Sequence, residues 1–130
     1  MIYENTILAM GCMAVLMFIQ LIVADIVGIK AKHSPGSAVP SDHDNALFRA
    51  SRTVANTNES VAIFILSTLF CIYSHASPVY TAYAAWGFVA ARAAYAVCYY
   101  CNVQLLRSLV FGISLLFLLA LQLIGIIVWL

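Results

Sequence analysis

The sequence predicts an all-α integral membrane protein, an up-and-down four-helix bundle forming a single domain over residues 1–130. Three observations lead there. Of the 130 residues, 65% are hydrophobic and only 8% charged, more apolar surface than one soluble core of this size can bury. The apolar residues gather into four segments, each near the roughly 20 residues that cross about 30 Å of hydrocarbon. Strict alternation of apolar and polar residues is absent, which argues against a transmembrane β-barrel.

The first segment runs from about Thr6 to Ile29. MIYEN ahead of it is acidic rather than basic, and the apolar run is longer than a signal-peptide core, so the segment is expected to be a retained anchor. KAKHSPGSAVPSDHDN follows as a loop, and Ser41 or Asp42 is expected to cap the next helix. The second segment runs from about Leu47 to Tyr73, the third from Val79 to Cys101 and the fourth from Leu105 to Leu130. YSHASP must turn the chain quickly and CNVQ hardly leaves the membrane, so consecutive helices run antiparallel. Lys30, Lys32, Arg49 and Arg52 flank the first loop and Arg107 flanks the third, whereas the second loop and both termini carry no Lys or Arg. Loops one and three are therefore expected in the cytoplasm, with both termini on the opposite side. A net charge of +1 and no DNA-binding motif argue against a nucleic-acid partner.

Arg49, Arg52, Asn56 and Glu59 form a polar stripe at the start of the second segment. Spacings of three, four and three place them on one helix face. Charge near a bilayer centre costs roughly 2.5 to 3.5 kcal/mol on insertion scales, so such residues turn to a bundle interior, a cavity or a ligand. Arg92, Tyr95, Tyr99 and Asn102 repeat the spacing on the third helix. Glu59 and Arg92 both lie roughly 14 to 15 Å from the cytoplasmic helix ends at 1.5 Å per residue, and are expected to pair as ions, chiefly clamping two helices. Nearer that face, Arg49 and Arg52 lie level with Tyr99 and with Arg107 and Ser108 at the start of helix four. Singly, each arginine there suits an interfacial anchor. Together with Asn56 and Tyr99 they suit a cavity for a small carboxylate-bearing anion, because guanidinium forks bind carboxylates bidentately and stay charged when desolvated. Gln20, deep in the first helix, either bonds across the bundle or reaches the same ligand.

These residues resemble the family of membrane-associated proteins in eicosanoid and glutathione metabolism. In RASRTVANTNE, Arg52, Asn56 and Glu59 reproduce the Arg-x-x-x-Asn-x-x-Glu signature, with Arg49 one turn earlier. In ARAAYAVCYY, Arg92 and Tyr99 are similar to the third-helix Arg-x-x-x-x-x-x-Tyr pattern, and Arg107-Ser108 is similar to the pair that opens helix four in the prostaglandin E synthase branch. Ala55 stands where some glutathione-using members carry another arginine, and Tyr95 replaces a histidine of the synthase branch. The resemblance implies a homotrimer, looking like a bacterial-type relative of microsomal glutathione transferases. It implies glutathione bound between subunits near the cytoplasmic side, and a lipophilic electrophile or hydroperoxide arriving from the lipid bilayer. Arg49, Arg52, Asn56, Glu59, Arg92, Tyr95 and Gln20 would then bind glutathione. Arg107 would stabilise its thiolate, with Ser108 or Tyr99 donating a hydrogen bond. The short loops, without a retrieval or transit signal, favour a bacterial inner membrane.

Other classes explain less. Cys98 and Cys101 form a CxxC at the cytoplasmic end of the third helix, as in membrane thiol oxidoreductases, yet no second pair exists and the motif continues the helical pattern without Pro or Gly, which favours inert cysteines. A proton-coupled small transporter needs a membrane glutamate such as Glu59, assisted by Asp25, but Glu59 lies in the second helix opposite an arginine. A non-catalytic lipid- or anion-binding relative is the main alternative, and Ala55 is the kind of change it would carry. Tyr73, Tyr80, Tyr83 and Trp86 read as an aromatic belt at the outer interface, and His33, His43 and His75 lack metal-ligand spacing.

Overall fold

The computed structural model describes residues 1–130 as four helices: α1 (Glu4–Lys30), α2 (Ala46–Tyr73), α3 (Pro78–Tyr100) and α4 (Gln104–Ile127). The ends fall within two residues of the sequence expectation, except that α4 stops at Ile127 rather than running to Leu130. Past that point the Trp129 indole donates to the Ser74 hydroxyl at 3.0 Å, which draws the chain across to the end of α2. The cap of α2 also differs from expectation. Asn45 caps it, accepting from the Leu47 N–H at 2.9 Å, while Asp42 accepts from the Asp44 N–H and builds the turn before it.

All three connections open with the same device. Lys32, His75 and Asn102 adopt left-handed backbone (φ 53°, 55° and 58°), and the next N–H reaches back five residues, from His33 to Gly28, from Ala76 to Cys71 and from Val103 to Cys98. This closure satisfies carbonyls that a helix end would leave bare. Tight closure keeps α2, α3 and α4 side by side.

Three of the helices are long and apolar enough to cross a membrane; α3 is not among them. Its run of Ala and Tyr residues, interrupted by Arg92, is less apolar than expected of a fourth span. It has less need of lipid compatibility, since eleven of its 23 residues are buried among the other helices. By contrast α1 turns Leu8, Val15, Phe18, Ile19, Ile22 and Ile26 outward, as a helix bathed in hydrocarbon does. The chain is an integral membrane protein. Its core joins Ala9, Met13, Phe64, Phe88, Leu118 and Leu121, with Phe64 and Phe88 stacked at 4.6 Å between centroids. Two glycines set the spacing: a Cβ at Gly87 would enter the ring of Phe117, and one at Gly125 the ring of Phe70. Small residues of this kind let membrane helices approach closely.

Candidate anion-binding site

Because Asn45 fixes where α2 starts, the helix period sends Thr53, Thr57 and Ser60 into the bundle and leaves Arg52 and Glu59 partly uncovered, with side chains 43% and 61% exposed. Asn56 stands between these two faces. From α3, Arg92 enters as a completely buried guanidinium, 0% exposed. Its Nη2 donates to Asn56 Oδ1 at 2.8 Å and to Thr57 Oγ1 at 3.0 Å.

The expected Glu59–Arg92 ion pair does not form. Glu59 lies 4.0 Å from Arg52 instead and accepts from the Asn56 amide at 3.4 Å. Depth along the bundle matches, but direction does not. At about 100° per residue, Thr57 and Glu59 project about 160° apart, so a guanidinium that reaches Thr57 meets Asn56 and not Glu59. The result is a relay from Arg92 through Asn56 to Glu59 and Arg52. Arg92 keeps two buried nitrogens, Nε and Nη1, without any acceptor.

Towards the loop-one end, cations and phenols alternate. Arg92 lies 4.4 Å over the Tyr95 ring, Tyr95 meets Tyr99 edge-on at 5.5 Å, and Arg107 covers Tyr99 at 4.5 Å. Such stacking holds a guanidinium in place while leaving its N–H edge free, and Arg107 Nη1 indeed has no acceptor. A cavity of about 180 Å³ opens among Asn56, Tyr95, Arg107, Ser108 and Phe111. The Ser108 hydroxyl currently donates to the Gln104 carbonyl at 3.2 Å.

Of the ten residues singled out from the sequence, the structure thus gathers Arg52, Asn56, Glu59, Arg92, Tyr95, Tyr99, Arg107 and Ser108. Two stand apart. Arg49 donates to the His43 carbonyl at 2.7 Å and so ties down loop one. Gln20 is 1% exposed and lines a different cavity, of about 280 Å³, with Met17, Phe18, Leu21, Val54 and Asn58. Its amide has no hydrogen-bond partner within the chain, so it neither bonds across the bundle nor lines the cavity at Arg107. Asn102 also leaves the α3 stripe, turning to Asp44 at 3.4 Å. Sequence reasoning missed Thr57, Phe111 and His43, whose ring lies 6.1 Å from Tyr99. The run Thr53, Thr57, Ser60 at spacings of four and three was the available signal for Thr57.

Comparison with curated proteins and with solved structures returns no match. The family model of the MAPEG family, however, matches residues 6–127, which takes in all four helices but for the first two residues of α1, and every residue of the site. The chain belongs to the MAPEG family.

Proposed function

We propose that this protein is a glutathione-dependent transferase or peroxidase acting on lipophilic electrophiles or hydroperoxides, with glutathione held at the Arg92–Arg107 site. The observation that carries this reading is Arg107 Nη1, buried without an acceptor, on a cavity it lines with Asn56, Tyr95 and Ser108, while Arg92, bonded to Asn56, keeps Nε and Nη1 unpaired behind that wall. Buried charge left unpaired is costly, and a carboxylate-bearing anion is the partner that guanidinium forks fit. Glutathione supplies two carboxylates, an ammonium and a nucleophilic thiol. Arg92 and Arg52 would take carboxylates, Glu59 the ammonium, and Arg107 would hold the sulfur as thiolate with Ser108 rotated to donate towards it.

Arg52 and Glu59 are exposed on a membrane helix in the single chain, a position that favours cover by neighbouring copies. The proposal therefore includes a homotrimer with the site between subunits. It also places loops one and three in the cytoplasm of a bacterial inner membrane, in line with the distribution of basic residues. A thermal titration of the detergent-purified protein tests the binding step, because a ligand of the folded state raises its apparent stability. Saturable stabilisation by glutathione and by S-hexylglutathione, lost in Arg52→Ala, is expected. No stabilisation at millimolar glutathione would overturn the reading.

A further inference from the structure

Loop one ends in a small fixed turn. Within SDHDN, the Asn45 N–H closes back on the Asp42 carbonyl at 3.1 Å, and the Asp42 carboxylate accepts from the Asp44 N–H at 3.0 Å, the side-chain turn that aspartate favours. His43 and Asp44 form the tip. Each is fastened to the bundle: the His43 carbonyl accepts from Arg49 Nη1 of α2 at 2.7 Å, and the Asp44 carboxylate accepts from the Asn102 amide at 3.4 Å. Asn102 is the left-handed residue of the turn joining α3 to α4, so loop one is latched to the connection between those two helices. A turn held at both tip residues fixes the His43 ring, which packs against Phe48 at 5.1 Å and Tyr99 at 6.1 Å between centroids.

Tyr99 is the last residue but one of α3, where helices fray. It is nonetheless only 5% exposed, because three elements close on its ring. Tyr95 meets it edge-on from the preceding turn of α3, Arg107 covers it from the first turn of α4, and His43 reaches it from loop one. Arg107 in turn relies on that ring. With Nη1 lacking an acceptor, stacking on Tyr99 at 4.5 Å is what sets the plane of its guanidinium. Contact therefore runs from loop one to the cavity, from His43 to Tyr99, from Tyr99 to Arg107, and from Arg107 to the wall it shares with Ser108.

We infer that His43 is a positioning residue for the glutathione thiolate, acting through Tyr99 on Arg107; the inference rests on the function proposed above. A guanidinium stabilises a thiolate only when its N–H edge is aimed at the sulfur, because such bonds weaken steeply as they bend. Without the His43 ring, Tyr99 gains a gap beside it at the end of a fraying helix, and a phenol that tilts into the gap takes Arg107 with it. His43 does not line the cavity, so it acts by packing. The bond from Arg49 uses its main-chain carbonyl and not its imidazole, so a phenyl ring at the same position keeps the turn and fills the same space.

The pH midpoint of the thiolate absorbance of bound glutathione tests the inference in the full-length, detergent-purified protein. Affinity for S-hexylglutathione, whose sulfur has no proton to lose, is read beside it. His43→Ala is expected to raise the midpoint by about one pH unit, a tenfold weaker hold on the thiolate, with S-hexylglutathione affinity unchanged. His43→Phe is expected to restore the native midpoint. An unshifted midpoint in His43→Ala, a shift that His43→Phe does not reverse, or an equal loss of S-hexylglutathione affinity would each overturn the inference and leave the proposed function standing. A native protein with no thiolate band would overturn both.

Discussion

All six Lys and Arg residues of the chain lie from Lys30 to Arg107, at or inward of the end that carries loops one and three, while the other end is built of Tyr, Trp and uncapped helix starts. Both ends hold buried donors without acceptors, Arg92 and Arg107 at one and Thr6 at the other. They differ in what the donors cost the fold. A guanidinium stays charged wherever it is placed, so burying it without an anion opposes folding. A hydroxyl and a few N–H groups at a helix start lose far less. The cationic end is therefore the place where stability and ligand binding should come apart, and the aromatic end the place where packing dominates.

The largest effect is expected at Arg92. Arg92→Met keeps most of the volume and removes the buried charge, so glutathione affinity should fall about 100-fold, the worth of a charged hydrogen-bonded pair. Unfolding free energy in detergent should meanwhile stay within about 1 kcal/mol of the parent, because an apolar replacement of similar size relieves desolvation. A loss of several kcal/mol with binding retained would make Arg92 a structural clamp and erase the contrast. Gly125→Ala, near the aromatic end, should do the reverse. Its methyl would enter the Phe70 ring, costing about 1 to 3 kcal/mol as overpacking does, with glutathione affinity unchanged. Restoring space with Phe70→Leu in the same chain should recover most of that loss. Smallest of the three, Asn45→Ala removes the side-chain cap of α2 and should cost about 1 kcal/mol, again read by unfolding in detergent.

The four helices are legible in the sequence because long apolar runs admit few other structures in lipid, and the turns because YSHASP and CNVQ leave no room for anything but closure. The site is legible in part for a related reason: charged and amide side chains inside apolar runs must converge on something. What they meet is less so. Matched depth offered Glu59 to Arg92, but azimuth gave Arg92 to Asn56 and Thr57, and azimuth depends on helix rotation that no single-chain spacing sets. Gln20 shows the same gap, since its polarity is plain and its neighbours are not. The α2 cap was obscured because Ser41, Asp42 and Asn45 all have capping side chains and only the fold chooses among them. Arg49 looked like part of the stripe because its hydrogen bond goes to the main chain of His43, a partner with no side-chain signature.

Ultraviolet difference absorbance of bound glutathione at neutral pH reads out whether the cationic end holds the thiolate proposed for it. The native protein should show a thiolate band that saturates with glutathione, and Arg107→Gln should bind glutathione at Arg92 and Arg52 yet show no such band. Binding without a thiolate band in the native protein, or an undiminished band in Arg107→Gln, would contradict the account.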